Sequence, residues 1–453
     1  MITKSDIESA VGVKIAVSEE MRVAMQKWYR LFLGVDNQEQ KEGLHLANSI
    51  CTEFTRLIFA ESEINVNGQG EKAKFMQSTL DVILPLLQTK IGIGLALGGM
   101  VFKPYFSYGE IAIDTVRADC MFPVSFCANG SIREVVFLEP YTDRSDSYYT
   151  RIEYHVYEPD KKRCVISNYT FHSYNADTLG VACEISETPW KGMEPTTVIE
   201  NVNQSMFGYF KVPKANSVDP DSPLGISVYA GCDSQIIQAD NHWNLILWEY
   251  EAKEAAVFAT MDLFNLNGKK QKLSKHDERL YKKVVRMDDK NTLQEYSPEI
   301  RDKSLFDGLN NILQRIEFNC GFAYGTISSE PTAKVEKTAT EIITSRQRSY
   351  TFVSAMQKQM ETALKQMLYA IDNLLNHHKI FLDGDYELSC NWGDSVLEDT
   401  KEKTQVELQM ARDGILKPEI VLSHYYRCSE ENAKKMMPDK LDNMDFSMYG
   451  GDN

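Results

Sequence analysis

The sequence predicts an α+β fold, and three observations predict it. Apolar residues recur at spacings of three and four through much of residues 18–90. They alternate from Val101 to about His172. A stretch free of glycine and proline then runs from Thr338 to Asp383 with an apolar stripe along it. The first and third patterns gather side chains on one face of an α-helix, the second on one face of a β-strand.

The helical elements come first. Residues from about Ser18 to Glu61 read as helices, with Leu44, Ala47, Ile50, Cys51, Phe54, Leu57 and Ile58 on one face. A further helix covers Lys72 to Lys90. The weakly polar run Ile91–Phe102, between Lys90 and Lys103, contains Gly92, Gly94, Gly98 and Gly99. Those glycines argue against a long helix, and the run is too short for a bilayer, which takes about 20 residues. The cluster has no nucleotide-binding spacing and reads as close backbone packing before a strand.

The strands come next. Ile132–Leu138, Tyr148–Tyr157 and Cys164–Phe171 read as strands of an antiparallel meander, with a turn at Glu158-Pro-Asp-Lys-Lys162. In Tyr148–Tyr157, Thr150, Ile152, Tyr154 and Val156 share one face; Arg151, Glu153 and His155 share the other. The polar face is expected to meet water.

Helical patterning resumes from Ser227 to about Glu254, rich in aromatics (Tyr229, Trp243, Trp248, Tyr250). Between Asn265 and Lys290, nine lysines and arginines face four carboxylates, a local excess of five positive charges. This basic module reads as a solvated face, a docking surface for an acidic partner or a phosphate contact. Ser297-Pro298-Glu299 has the composition of a helix start, and Leu305, Leu309, Ile312, Leu313, Ile316 and Cys320 form the apolar stripe of that helix.

The stretch G-T-I-S-S-E-P-T-A-K-V-E-K-T-A-T-E-I-I, Gly325 to Ile343, separates that helix from the next. A polar loop this long inside a folded chain is functional or disordered. Thr338-Ala-Thr-Glu341 forms a capping box. Ile342, Arg346, Tyr350, Val353, Met356, Met360, Leu364, Met367, Ile371 and Leu374 then line a helix of roughly 55–60 Å. Tyr386–Trp392 reads as a strand. Glu398–Arg412 and Pro418–Tyr426 read as short helices split by Asp413-Gly414, with another at Ser429–Met437 and a disordered tail at Gly450–Asn453.

Composition narrows the function classes. The net charge is −16, so the chain is not a wholesale nucleic-acid binder, whose affinity would come from neutralising phosphates. Nine cysteines are scattered from Cys51 to Cys428 without a C-x-x-C pair, as expected of reduced cytosolic thiols. The first residues lack the apolar core of a signal peptide. No phosphate-loop sequence is present. His377 and His378, as cations, would suit the negative end of the long helix and carry no metal-ligand spacing. Glu110, Asp114 and Asp119, and Asp394, Glu398 and Asp399, read as turn and solvated positions. The expectation is a non-enzymatic protein with no catalytic residues, no metal and no cofactor.

Several strings carry a resemblance: Gly98-Gly-Met-Val-Phe-Lys-Pro-Tyr105, Ile111-Ala-Ile-Asp-Thr-Val-Arg-Ala-Asp-Cys-Met-Phe-Pro123, Tyr148-Tyr-Thr-Arg-Ile-Glu-Tyr154, Tyr209-Phe-Lys-Val-Pro-Lys-Ala-Asn216, Ser222-Pro-Leu-Gly-Ile-Ser-Val-Tyr229 and Asn391-Trp-Gly-Asp-Ser395. Together, over nearly the whole chain, the sequence resembles the portal proteins of tailed bacteriophages, in particular the siphophage type of Gram-positive hosts. The resemblance implies a portal fold. Its parts would be a wing of helices and antiparallel strands over 1–225, a first stem helix at 226–254, a small clip at 255–297 and a second stem helix at 298–324. A tunnel loop at 325–340, a long helix returning to the wing at 341–378, and a wing strand with a small helical crown and disordered tail at 379–453 would complete it.

The resemblance also implies a function. Such a protein is a structural, non-enzymatic head–tail connector in the virion, a ring of usually 12 copies at one capsid vertex, assembled in the bacterial host cytoplasm. Double-stranded DNA is packaged and ejected through its channel. Partners would be that DNA, the terminase large subunit, a head–tail adaptor, the major capsid protein and scaffold, with no membrane. Lys334, Glu336, Lys337 and Thr338 would face DNA from the tunnel loop. Lys269, Lys270, Lys272, Lys282, Lys283 and Arg286 of the clip would dock motor and adaptor. Two further readings are a structural ring or scaffold protein with no DNA role, and a DNA-packaging enzyme, against which the missing phosphate loop argues.

Overall fold

The computed structural model describes residues 2–35, 43–107, 109–143, 147–253, 256–260, 281–284, 293–296, 299, 301–329, 339–393, 407–426, 433–434 and 437; at 107, 256–260, 281–284, 293–296, 339–346 and 424–426 it describes the backbone alone. The chain mixes helices with mainly antiparallel sheet. It divides into two compact units, Met1–Glu336 with Thr351–Trp392, and Lys337–Tyr350 with Gly393–Asn453.

The first unit opens with α1 (Lys4–Val11), α2 (Glu19–Leu33), α3 (Leu46–Phe59) and α4 (Glu71–Leu97). Ser18 caps α2 and Gly34, in the left-handed region, ends it. The glycine-rich run corrects the expectation from sequence, because α4 continues through Gly92 and Gly94 to Leu97. Each glycine costs a helix up to about 1 kcal/mol. Here Ile91, Leu95, Ala96 and Leu97 are all fully buried, and burying one large apolar side chain returns about 1.5–3 kcal/mol. The helix stops at Gly98, φ +91°, where a Cβ would stand 2.5 Å from the Gly225 carbonyl oxygen, so close packing is the reason for this glycine. At 27 residues α4 is long and apolar enough to cross a membrane by length and composition, and it packs against α2, α3 and the following strand.

The reading from sequence assigned no element to residues 62–70. They contain β1 (Glu63–Gln69), paired antiparallel with β14 (Asp385–Asn391), so the strand read at Tyr386–Trp392 has its partner more than 300 residues upstream.

Two sheets come after α4. The strands β10 (Gly208–Lys211), β2 (Gly99–Ser107) and β3 (Glu110–Arg117) form one sheet in that order. The other runs β4 (Met121–Phe126), β5 (Ile132–Thr142), β6 (Tyr148–Glu158), β7 (Arg163–Ser173) and β8 (Val181–Ala182), with β9 (Thr196–Glu200) also on β7. The meander is as read from the sequence, but its polar face is not wet. Arg151, Glu153 and His155 are all buried. Lys103 of β2 reaches across to Glu153, Nζ to Oε2 2.6 Å, and lies 5.3 Å from the Phe137 ring centre. The charged face of β6 therefore meets charges from another sheet.

The helices α5 (Asp233–Ala252) and α6 (Asp302–Cys320) flank a three-stranded sheet of β11 (Ala256–Thr260), β12 (Tyr281–Val284) and β13 (Leu293–Tyr296). β11 is central, parallel to β12 and antiparallel to β13. The helix read from Ser227 starts six residues later, because Gly231 takes φ +84°. The start read at Ser297-Pro298-Glu299 also moves, since neither Glu299 nor Arg301 is helical; Arg301 is drawn instead to Glu249 of α5.

The long helix, α7 (Ala339–His377), has the expected extent, with Met356, Met360, Leu364, Met367 and Ile371 fully buried. Its first turns belong to the second unit and the remainder to the first. In the first unit it crosses β10 at Gly208, where a Cβ would lie 2.1 Å from the Ala363 carbonyl oxygen. Gln366 accepts from the Tyr209 N–H at 3.1 Å. The second unit contains a helical stretch at 407–412 and α8 (Pro418–Tyr426), separated by a turn with Gly414 at φ +72°. Most of the helix read at Ser429–Met437, the beginning of Glu398–Arg412 and the tail lie outside the described residues.

Candidate functional site at the end of the helix pair

The contacts between α5 and α6 run in opposite senses along the two sequences, so the pair is antiparallel. Cys232 meets Cys320, His242 Nε2 donates to the Leu305 carbonyl at 2.8 Å, and Glu249 meets Arg301. Glu249 is buried. Arg301 donates to both of its oxygens, Nε at 3.1 Å and Nη2 at 2.9 Å, and Lys253 adds a contact at 2.7 Å. Hydrogen bonds from Arg301 and Lys253 push the Glu249 carboxyl down to about 2. This ion pair ties the two helices at the end beside the small sheet.

At the other end, α6 stops at Gly321, φ +90°, and the chain enters the loop. One residue of the last helical turn fixes the first residues of that loop. The carboxylate of Glu317 is fully buried and accepts from the N–H groups of Gly325 (3.2 Å), Ile327 (2.5 Å) and Ser328 (2.8 Å), and from the Ser328 hydroxyl (2.8 Å). Four donors converge on two oxygens with no cation among them. Hydrogen bonds to a charged acceptor contribute about 1.5–3 kcal/mol each, which offsets the cost of burying the charge. Asn310, two turns earlier on α6, takes the next residue: its Oδ1 accepts from the Ser329 N–H at 2.8 Å and its Nδ2 donates to the Ser329 carbonyl at 3.2 Å.

The same corner is secured from outside the helix pair. The Lys214 ammonium donates to the carbonyls of Val228 (3.2 Å), Ala230 (3.0 Å) and Asn319 (3.3 Å), placing a cation at the negative end of α6. Phe322 stacks on Phe54 of α3 at 4.0 Å between ring centres, and Phe352 of α7 meets Phe54 edge-on at 5.5 Å. Gly325 to Ser329 are thus pinned to α6, and α6 to the core. The arrangement sets the position and direction of the backbone where the polar loop begins.

The residues singled out from the sequence lie elsewhere. Lys334, Glu336, Lys337 and Thr338 are outside the described residues, as are Lys269, Lys270, Lys272 and Arg286, and Asp394, Glu398 and Asp399. Lys282 and Lys283 occupy consecutive positions of β12, in register with Phe258 and Ala259 of β11. Asp119 is engaged by Arg117 through two bonds of 3.0 Å, an ion pair rather than a solvated turn. The helix-end role expected of charged histidines is not favoured at His378. It stacks on Phe106 at 3.9 Å, and burial, with His377 beside it, lowers its pKa.

Glu317 and Lys214 were missed by the reading from sequence. The signal for Glu317 was a carboxylate beside Ile316 and Cys320 on an apolar stripe, followed by small residues at Gly325 and Ser328 able to turn donors back toward it. No family model matches the chain, and no curated protein matches it.

Proposed function

We propose that this chain is a portal-type subunit. Copies of it close into a ring at a capsid vertex, double-stranded DNA passes through the central channel, and the terminase motor and head–tail adaptor dock on the module between α5 and α6. The observation that carries the reading is the order and attachment of the elements. An antiparallel helix pair flanks a small sheet, its second helix passes into a loop whose first residues are clamped by a buried carboxylate, and a 39-residue helix comes next. That order is the one expected of stem, clip, stem, tunnel loop and long helix.

Two physical arguments support the reading. The helix pair exposes Leu245, Trp248, Tyr250, Phe306 and Phe318, with Trp248 57% accessible, and Tyr324 is exposed just after it. Exposed aromatics concentrated on one supersecondary element suit burial against further copies. A net charge of −16 per subunit gives walls that repel a sliding polyanion, so that Lys334 and Lys337 of the loop make sparse, weak phosphate contacts. A loop that must act on moving DNA benefits from a rigid base, which Glu317 and Asn310 supply.

Negative-stain microscopy of the purified chain tests the assembly, with annular particles bearing a central hole as the expected result. A chain that stays monomeric, even beside its capsid partners, overturns the proposal. Packaging with Lys334→Glu and Lys337→Glu separates a DNA conduit from a ring without a DNA role. Intact rings with reduced DNA content are expected, and normal DNA content removes the loop from the mechanism.

A further inference from the structure

Among the described residues, two cysteine sulfurs stand in direct contact. Cys232 Sγ and Cys320 Sγ are 3.8 Å apart, both side chains are buried, and the two residues are 88 apart in sequence. Cys232 is the residue preceding the first turn of α5, and Cys320 is the last residue of α6. All the cysteines described are free thiols, these two included.

We propose that Cys232 and Cys320 form a dithiol–disulfide pair, closed by a peroxide-class oxidant into a covalent clasp that joins the start of α5 to the end of α6 at the corner where the loop begins. The geometry requires the sulfurs to approach from 3.8 Å to about 2.05 Å. Cys232 is the nucleophile. It lies at a helix N-terminus, and the Lys214 ammonium is held nearby on the carbonyls of Ala230, two residues before Cys232, and Asn319, next to Cys320. The hydrogen bond from Cys320, with Lys214 assisting, lowers the Cys232 pKa, while the same contact and burial raise that of Cys320. Elsewhere burial alone raises the Cys51 thiol, and burial is the main cause that pushes Cys164 and Cys390 up to about 12.

The chemistry balances. The Cys232 thiolate attacks one peroxide oxygen, the O–O bond breaks, and hydroxide leaves to take a proton as water. The sulfenic acid formed is attacked by Cys320, the S–O bond breaks, and the second oxygen departs as water with the Cys320 proton. Two thiols are oxidised by two electrons and one hydrogen peroxide is reduced to two waters.

The test uses the full reduced chain, treated with hydrogen peroxide under native conditions, then alkylated, digested and analysed by mass spectrometry. The expected result is loss of two of the nine thiols, with the Cys232 and Cys320 peptides joined and two hydrogens lighter, reversed by dithiothreitol. In Cys320→Ser the sulfenic acid at Cys232 accumulates and is trapped by dimedone; in Cys232→Ser no cross-link forms. The wild-type measurement stands alone if a variant fails to fold. Both cysteines remaining alkylatable while other thiols oxidise, or either joined to a different cysteine, overturns the proposal.

Discussion

Two buried carboxylates are held in different ways, Glu153 between the sheets and Glu317 at the root of the loop. Between β2 and β6, Glu153 receives Lys103 at 2.6 Å, Arg151 at 3.0 Å and His155 at 2.6 Å, and Arg151 also pairs with Glu139. At the loop, Glu317 receives only neutral donors, most of them backbone. Charge against charge ties two sheets through side chains, so each member depends on the others' ionisation. Charge against N–H groups ties a backbone to a helix, and needs only that the chain turn back. The first suits two rigid elements in register; the second suits a loop whose own sequence is free to serve another purpose.

The largest effect is expected from breaking the sheet cluster. Glu153→Leu leaves Lys103 and Arg151 buried without that partner and should cost about 3–5 kcal/mol in denaturant unfolding. Adding Lys103→Met should recover part of the loss; a double variant as unstable as the two singles summed would show that the pair is not coupled.

The loop clamp comes next. Glu317→Ala strands the N–H groups of Gly325, Ile327 and Ser328, and local stability there should fall by about 2–3 kcal/mol. Amide exchange at those residues would then quicken roughly 30- to 160-fold. Glu153→Leu should leave that exchange unchanged under conditions where the protein stays folded, and equal acceleration in both variants would erase the distinction between the sites.

Acid separates them further. Burial lowers the pKa of His155 below 6.5 despite its hydrogen bond to Glu153, so the folded state keeps it neutral. The unfolded chain takes up the proton first, and stability should decline as pH falls below 6.5. His378, lowered in the same sense, adds to this stage. Burial opposes ionisation of Glu153, but Lys103 and Arg151 outweigh it and hold its pKa well below 4.5; Glu249 lies at about 2. Their stabilisation is complete above pH 4.5 and is lost as pH falls toward those lowered values. His155→Gln should reduce the decline below pH 6.5 and leave the steeper loss below pH 4.5. Chemical unfolding from pH 8 to 3 checks both.

The smallest effect calibrates the rest. Lys365 and Glu361, 2.6 Å apart on α7, form an i,i+4 pair whose lysine is 54% accessible. Glu361→Gln should cost only about 0.2–0.5 kcal/mol, because water screens the pair.

Periodicity in the sequence was enough to determine the long helices and the meander strands. The three- and four-residue spacing foretold α6 and α7, and alternation foretold β5, β6 and β7, since both report local geometry that each segment carries by itself. Composition determined the acidic charge. Tertiary structure decided whatever depended on a distant partner. The Glu63–Gln69 segment is a strand because Asp385–Asn391 lies beside it, and α4 survives its glycines because its last turns are buried. The polar face of β6 is dry because Lys103, 50 residues before Glu153, brings the opposite charge. Glu317 becomes a clamp only once the chain has turned at Gly321 and returned its amides. A sequence pattern tells which face of an element is apolar; the cost of burying a polar group is met by whatever the fold places against it, and that neighbour is not local.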